Sequence, residues 1–343
     1  MDTPESRSPR RFPRTSIRGT LLLVLLIGAP LGWVVNRAHI QRDAVAAIRR
    51  SNGYVGFVYQ YKYGEYIDGT LSLSQWLAAQ AGVDYFDTAV KVSCGPSTVD
   101  SDLVPVGNLS WLESLDLSGA LSVTDDGLEY LKGLLYLKRL GLSGTAVTNR
   151  GLVHLKGMTS LQVLNLDGTR VDGAGMEHLR GLSNLESLSL RGTRVDDSGL
   201  EGLKALTRLE SLSLQGARVN GSGFEHLNGL TKLKSLDLRG TRVDDSGLGR
   251  LTGLTNLQFL KLGGTLVTDA GLAILEGAPS LLFLDVVGAE ADDARITDAG
   301  LVHLSKLPNL WRLRLASARL TDAGVARLRK SRPQLMIYQA PQH

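Results

Sequence analysis

Cysteine is all but absent from this chain: Cys94 is the only one in 343 residues. A single thiol excludes an intrachain disulfide framework and fits any redox compartment. Aromatic residues make up only 6%, and the formal net charge of +4 is small for the length and concentrated near the N-terminus, which argues against a nucleic-acid partner. A glycine-rich phosphate loop, a nucleophile motif and the ligand spacing of a structural metal site are missing too. No convergent titratable set remains, so the chain reads as a non-enzyme without cofactor or metal. Long apolar runs are also scarce; LLLVLLIGAPLGWVV at Leu21–Val35 is the one that stands out.

Periodicity, by contrast, is everywhere. The ten letters RGTRVDDSGL occur at Arg191–Leu200 and again at Arg239–Leu248, 48 residues later, and half that interval works as well. Rows of 24 starting at Leu137, Leu161, Leu185, Leu209, Leu233, Leu257 and Leu281 put the same residue types in the same columns, the signature of a solenoid. Positions 1, 4 and 6 (Leu185, Leu188, Leu190) end in the alternation of a short strand. Glycine at position 8 fits a turn leaving it. Position 12 is Thr124, Thr148, Asp172, Asp196, Asn220, Asp244, Thr268, Thr297 and Thr321, every one an N-cap type, so a helix starts there. Apolar residues at positions 16, 19 and 22 (Leu200, Leu203, Leu206) return one face of that helix to the strands, and glycine at position 15 predicts close approach between neighbouring helices.

These rows, with VTDAGL at Val267–Leu272 and ITDAGL at Ile296–Leu301, resemble leucine-rich repeats of the T-D-x-G-L subclass. The resemblance implies an α/β fold: a right-handed, curved solenoid with a parallel sheet on its concave face and short helices on the convex one. It spans residues 89–338, about ten repeats. The chain departs from the family's usual asparagine or cysteine at position 9, which here is Thr145, Thr169, Thr193, Thr241 or Thr265, and alanine in other rows. A threonine hydroxyl can serve the same turn. In this frame the paired aspartates are scaffold: Asp196 and Asp244 cap helices, while Asp197 and Asp245 favour the helix dipole from the first turn.

The N-terminal fifty residues are of another kind. Residues 1–18 form a basic tail; 19–36 carry a stretch without charge from Gly19 to Val35, at the short end of what spans a bilayer; and 37–50 read as a juxtamembrane helix. A signal peptide is the competing reading, but no small-x-small cleavage site follows the apolar run closely. Arg7, Arg10, Arg11, Arg14 and Arg18 precede the run, against Arg37, Arg42, Arg49 and Arg50 after it, a slight preference for a cytoplasmic N-terminus with the repeats outside, in a periplasm or cell envelope. This layout is similar to bacterial membrane-anchored leucine-rich-repeat proteins. Residues 51–88 read as an N-terminal cap with Trp76 and Phe86 as lids, and 339–343 as a tail.

Two surface patterns are candidates for binding. At position 10, Arg170, Arg194, Arg218 and Arg242 occupy four consecutive rows, a ladder about 15 Å long if parallel strands lie about 4.8 Å apart. Asp197 and Asp245 can balance it; otherwise it suits an acidic partner or an anionic glycan. On the concave face, serine-rich middle rows give way to Phe259, Leu282, Phe283, Val287 and Trp311, rimmed by Lys261, Asp285, Arg312 and Arg314, a composition that suits an interface core. The C-terminal YQAPQH is an alternative occupant of this cluster, and the insertion EADDA at Glu290–Ala294 lies beside it. His154, His178, His226 and His303 share position 18, but Tyr130, Gly202, Arg250 and Ile274 share it too, so the column reads as tolerant helix surface rather than a metal site. The expectation is a membrane-anchored interaction scaffold with a protein partner. A self-associating envelope protein, or an adaptor of the ubiquitin system, stands as the alternative.

Overall fold

A computed structural model describes residues 29–57, 89–287, 295–315 and 319–339. Among the described residues, twelve strands form one sheet in chain order: β1 (Tyr54–Phe57), β2 (Ala89–Ser93), β3 (Ser114–Asp116), β4 (Arg139–Gly141), β5 (Val163–Asn165), β6 (Ser187–Ser189), β7 (Ser211–Ser213), β8 (Ser235–Asp237), β9 (Phe259–Lys261), β10 (Phe283–Asp285), β11 (Arg312–Leu315) and β12 (Met336–Gln339). From β2 onward every pair is parallel, and strand positions 3, 4 and 5 of each row lie beside those of the next, as in Ser187↔Ser211, Leu188↔Leu212 and Ser189↔Ser213. Only β1 is antiparallel, added to the outside of β2.

The core is a stack of identical layers. In the row from Leu185, the side chains of Leu185, Leu188, Leu190, Val195, Leu200, Leu203 and Leu206 are all buried, and adjacent rows repeat the pattern. Strand leucines and helix leucines face each other across the layer, so each row contacts mainly its neighbours and no row has a core of its own.

Opposite the sheet, each row carries one or two turns of α or 3-10 helix, opened as expected by the position-12 residue. Thr124, Thr148, Asp172, Thr268 and Thr297 accept from the amide two residues on, and Asp244 and Thr321 from the amide three on. Two rows depart: the Asp196 carboxylate takes the Ser198 hydroxyl at 2.6 Å instead, and in the row of Asn220 the helix opens only at Phe224, with Gly223 at its N-cap. Position 9 closes the turn after each strand, where the buried Thr145, Thr169, Thr193, Thr241 and Thr265 hydroxyls donate to the position-6 carbonyl at 2.6–2.8 Å. Glycine at position 8, with φ near +65° in Gly168 and Gly192, completes that turn in a region costly for other residues.

At the N-terminal end, helix α1 (Ala29–Arg50) lies against the first rows. Ala44, Val45, Ala47 and Ile48 are buried, the Gln41 carbonyl oxygen accepts from the Ala89 amide at 3.3 Å, and the Arg37 guanidinium sits 4.3 Å from the Trp111 ring centroid. The helix ends on Asn52 in the left-handed region (φ 58°), with Gly53 donating back to the Ile48 carbonyl. The stretch read from sequence as a juxtamembrane helix is thus, over its second half, part of the solenoid's packed end. Among the described residues no helix is long and apolar enough to cross a membrane. The expected span at 19–36 falls outside them up to residue 28. Trp76 and Phe86, the insertion at Glu290–Ala294, and residues 340–343 of the tail also lie outside the described residues.

Candidate functional site

The T-D-x-G motif resolves into a clamp between rows. The position-13 carboxylate does not serve its own helix; it reaches the next row and accepts from both the amide and the hydroxyl of the position-12 threonine there. Asp125 takes the Thr148 amide at 2.7 Å and its hydroxyl at 2.6 Å. Asp100 does the same to Thr124, Asp245 to Thr268, Asp269 to Thr297 and Asp298 to Thr321. Asp197 collects the amides of Asn220, Gly221 and Gly223. Position 15 must be glycine for a related reason: a Cβ on Gly151 would stand 2.5 Å from the Asp125 Oδ1, and one on Gly300 2.2 Å from the Asp269 Oδ1. The sequence suggested close helix approach at that column; the actual neighbour is the preceding row's carboxylate or backbone.

This clamp alters the reading of the arginine ladder. Arg170, Arg194, Arg218 and Arg242 are aligned as expected, since each backbone amide donates to the position-11 valine carbonyl of the preceding row. All four are exposed. Asp197 and Asp245, expected to balance them, are turned into the next row, and among the described residues none of the four guanidinium groups has a carboxylate within ion-pair distance. The column begins after Ala146 and ends at Leu266, so the charge is confined to four rows.

The open face of the sheet is divided in two. Over β6 to β8, positions 3 and 5 carry Ser187, Ser211, Ser235, Ser189 and Ser213. From β9 onward position 3 becomes Phe259, Phe283, Arg312 and Met336. Phe259 is 39% exposed and Trp311 44%, while Leu282, Phe283 and Val287 are half-buried. The Phe259 and Phe283 rings meet at 6.3 Å between centroids, tilted by 44°. The Arg312 guanidinium lies 5.7 Å from the Phe283 ring and 4.9 Å from that of Tyr338. Met336 and Tyr338, 50% and 47% exposed, extend the cluster. The repeats read from sequence run to residue 338 without assigning these two to this face; the period-2 alternation of MIYQ, continued from the row before, was the signal that could have done so.

The charged residues beside this cluster neutralise one another. Asp237, on β8, takes the Arg239 Nε at 2.9 Å, its Nη2 at 2.7 Å and the Lys261 Nζ at 3.1 Å. Burial alone would push its carboxyl up, but the hydrogen bonds from Arg239 and Lys261 outweigh that and hold it below the ordinary value. Asp285, expected on the rim, is instead 1% exposed, where its carboxylate takes the Arg314 Nη1 at 2.8 Å and the Val287 amide at 3.1 Å. Of the three expected rim cations, Lys261 and Arg314 hold carboxylates, while Arg312 has none among the described residues and lies against the Phe283 and Tyr338 rings. The result is a largely apolar surface beside which Asp237, Arg239, Lys261, Asp285 and Arg314 are already paired.

The histidine column does not converge. His303 bonds Glu276 at 2.6 Å and His178 lies 3.6 Å from Glu177, while among the described residues no group of three or more His, Cys, Asp or Glu side chains is placed to hold a metal.

Fold and repeat together define the class: a solenoid of stacked strand–turn–helix rows, similar to leucine-rich-repeat proteins. The family model described as "Leucine Rich repeat" matches residues 108–132, 181–204 and 229–251. No curated protein matches the chain. Among solved structures, the mouse RP105/MD-1 complex is similar at a TM-score of 0.51 and 20% identity, over 65% of this chain and 38% of that one. A chain of the TLR13–ssRNA13 complex gives 0.50 and 17%, over 73% and 38%. An internalin C2 from Listeria monocytogenes gives 0.47 and 24%, over 63% and 92%. At these identities the likeness is one of fold.

Proposed function

We propose that this chain is a non-catalytic interaction scaffold that docks a protein partner on the sheet face of its C-terminal rows. The single observation that carries this reading is the group of exposed Phe259, Trp311, Met336 and Tyr338 around the half-buried Phe283. Solvent-exposed aromatic side chains grouped on a rigid surface, with neighbouring charges neutralised internally, form an apolar core framed by paired polar groups, the composition of an interface. The mouse RP105 structure, solved as a complex with MD-1, is consistent with that use of the fold. We further propose that the uncharged run Gly19–Val35 anchors the chain in a membrane with the repeats on the outer side. Because Arg37 to Ile48 pack on the first rows, such an anchor would hold the solenoid close to the bilayer without a flexible tether.

The test is affinity capture from the source cell's membrane fraction with the full-length chain in detergent, beside a variant in which Phe259, Phe283 and Trp311 are all serine. A partner retained by the wild type, lost by the folded variant and rebound by purified components supports the docking face. Identical captures by both would refute it. Light scattering over a concentration series separates this from self-association, for which mass would rise with concentration and fall in the variant. Carbonate extraction and protease protection of closed vesicles test the anchor: release by carbonate, or repeats protected on the cytoplasmic side, would contradict it.

A further inference from the structure

We infer that the arginine edge is a second, independent binding site whose ligand is a linear anionic polysaccharide. The first argument is charge. Arg170, Arg194, Arg218 and Arg242 stand in register about 4.8 Å apart, so adjacent cations repel unless something supplies counter-charge. The acids nearest in sequence are engaged elsewhere: Asp172 with the Asn149 amide and the Ala174 backbone, Asp197 with three amides of the following row, Asp244 with the Gly247 amide and Asp245 with Thr268. A fold that uses so many carboxylates beside the ladder, yet pairs none with it, leaves about 15 Å of cationic edge to the solvent. Guanidinium forks suit carboxylate and sulfate groups, and exposed arginines in a row suit a ligand that carries one such group per repeat.

The second argument is what surrounds the ladder. Its flanking columns are glycine at position 8, buried threonine or alanine at position 9 and buried valine at position 11, so within the four arginine rows the edge offers no exposed apolar side chain around which a protein interface could form; the exposed Leu266 follows beyond its C-terminal end. No aromatic side chain stands in these columns either, whereas single-stranded nucleic acids are held by base stacking on aromatic platforms. What the same rows do offer is hydroxyl groups: Ser187, Ser211 and Ser235 line the sheet face in the rows that carry Arg194, Arg218 and Arg242. Hydroxyls and guanidinium groups together match a polymer of hydroxylated, acidic sugar units.

The test is fluorescence anisotropy of the full-length chain in detergent with a size-defined, labelled heparin oligosaccharide, run beside poly-glutamate, single-stranded DNA of equal charge and neutral dextran. Expected is binding of heparin, weakened about tenfold or more when Arg170, Arg194, Arg218 and Arg242 are all changed to glutamine, with a shallower salt dependence. A control that removes the same number of cations from the helix side, with Arg180, Lys204, Arg208 and Lys232 changed to glutamine, should change affinity less than about twofold, and all-lysine replacement of the ladder should keep part of it. Among the described residues the four arginines have no side-chain partner, so the glutamine variant should unfold at the wild-type temperature. Failure of heparin to bind, equal loss in the control, or tighter binding of poly-glutamate or DNA at equal charge would overturn the assignment. The variant with Phe259, Phe283 and Trp311 changed to serine should bind heparin normally, which keeps this outcome separate from the fate of the protein-docking face.

Discussion

If the clamp between rows explains the D-x-G part of the motif, removing the aspartate should make the glycine dispensable. The row pair of Asp125 and Gly151 tests this cleanly. Asp125 to alanine deletes two hydrogen bonds from a partly buried carboxylate, at 2.7 and 2.6 Å, and leaves the Thr148 amide without its acceptor. Bonds to a charged group contribute about 1.5–3 kcal/mol, so a loss of about 2–3 kcal/mol is expected after partial access of water. Gly151 to alanine places a Cβ 2.5 Å from the Asp125 Oδ1, against 3.0 Å or more from the next neighbours, a Leu128 methyl and a Val147 methyl. It must therefore displace the carboxylate, at a cost of about 1–2 kcal/mol after the roughly 1 kcal/mol that alanine gains over glycine in a helix. In the double variant the displaced group no longer exists. There Gly151 to alanine should be neutral or stabilising by up to about 1 kcal/mol, a coupling near 2 kcal/mol. Urea unfolding of the four proteins, followed by circular dichroism, gives the cycle. Effects that add to within about 0.5 kcal/mol would refute the steric link between the two columns, whatever the size of each alone.

Other consequences are simpler to state. Because hydrogen bonds from Arg239 and Lys261 hold Asp237 below its ordinary value, their stabilisation should be complete above the unfolded pKa of about 3.9 and fade as pH falls towards the lower folded one; Asp237→Asn should flatten acid unfolding in that window and lower stability at pH 7. Arg314→Met leaves the buried Asp285 carboxylate without its cation and should cost about 1–3 kcal/mol in urea unfolding, while the double change with Asp285→Asn should recover part of that. Burial pushes the Cys94 thiol up to about 12, so a disulfide exchange reagent at pH 8 should label it only as fast as the first rows open; immediate labelling of native protein would contradict the packing of β2.

Much of the fold was legible because each column answers one physical demand. Leucines at positions 1, 4 and 6 mark a short strand and its flanks turned to the core at this period, and a threonine or aspartate three residues after the turn marks a helix start. What did not show was any contact made between rows rather than within one. Asp197 looks, along the chain, like a first-turn acid favouring the helix dipole; that its oxygens reach the amides of Asn220, Gly221 and Gly223 depends on stacking, which a single row does not display. Asp285 was misread similarly: position 5 points off the sheet face, yet its carboxylate is buried and bonded to Arg314 of the next row and to the Val287 amide. The packing of α1 was equally hidden, since alanines and an isoleucine among arginines fit a membrane-proximal helix as readily as a solenoid cap.

The same inter-row contacts decide what surface is left for binding. By composition the chain is nearly balanced, with 38 basic and 34 acidic residues, and nothing in that balance suggests a strongly cationic site. But the clamp takes carboxylates out of circulation on the helix side, and Asp237 and Asp285 are taken up by Arg239, Lys261 and Arg314 on the sheet side. Two sets of groups not so engaged among the described residues stand in successive parts of the array: arginines along the edge of the middle rows, and aromatic rings on the face of the last ones. A ligand attracted to one has no physical reason to prefer the other. The scaffold therefore has two chemically different surfaces to offer, and variants that remove each in turn should separate their ligands.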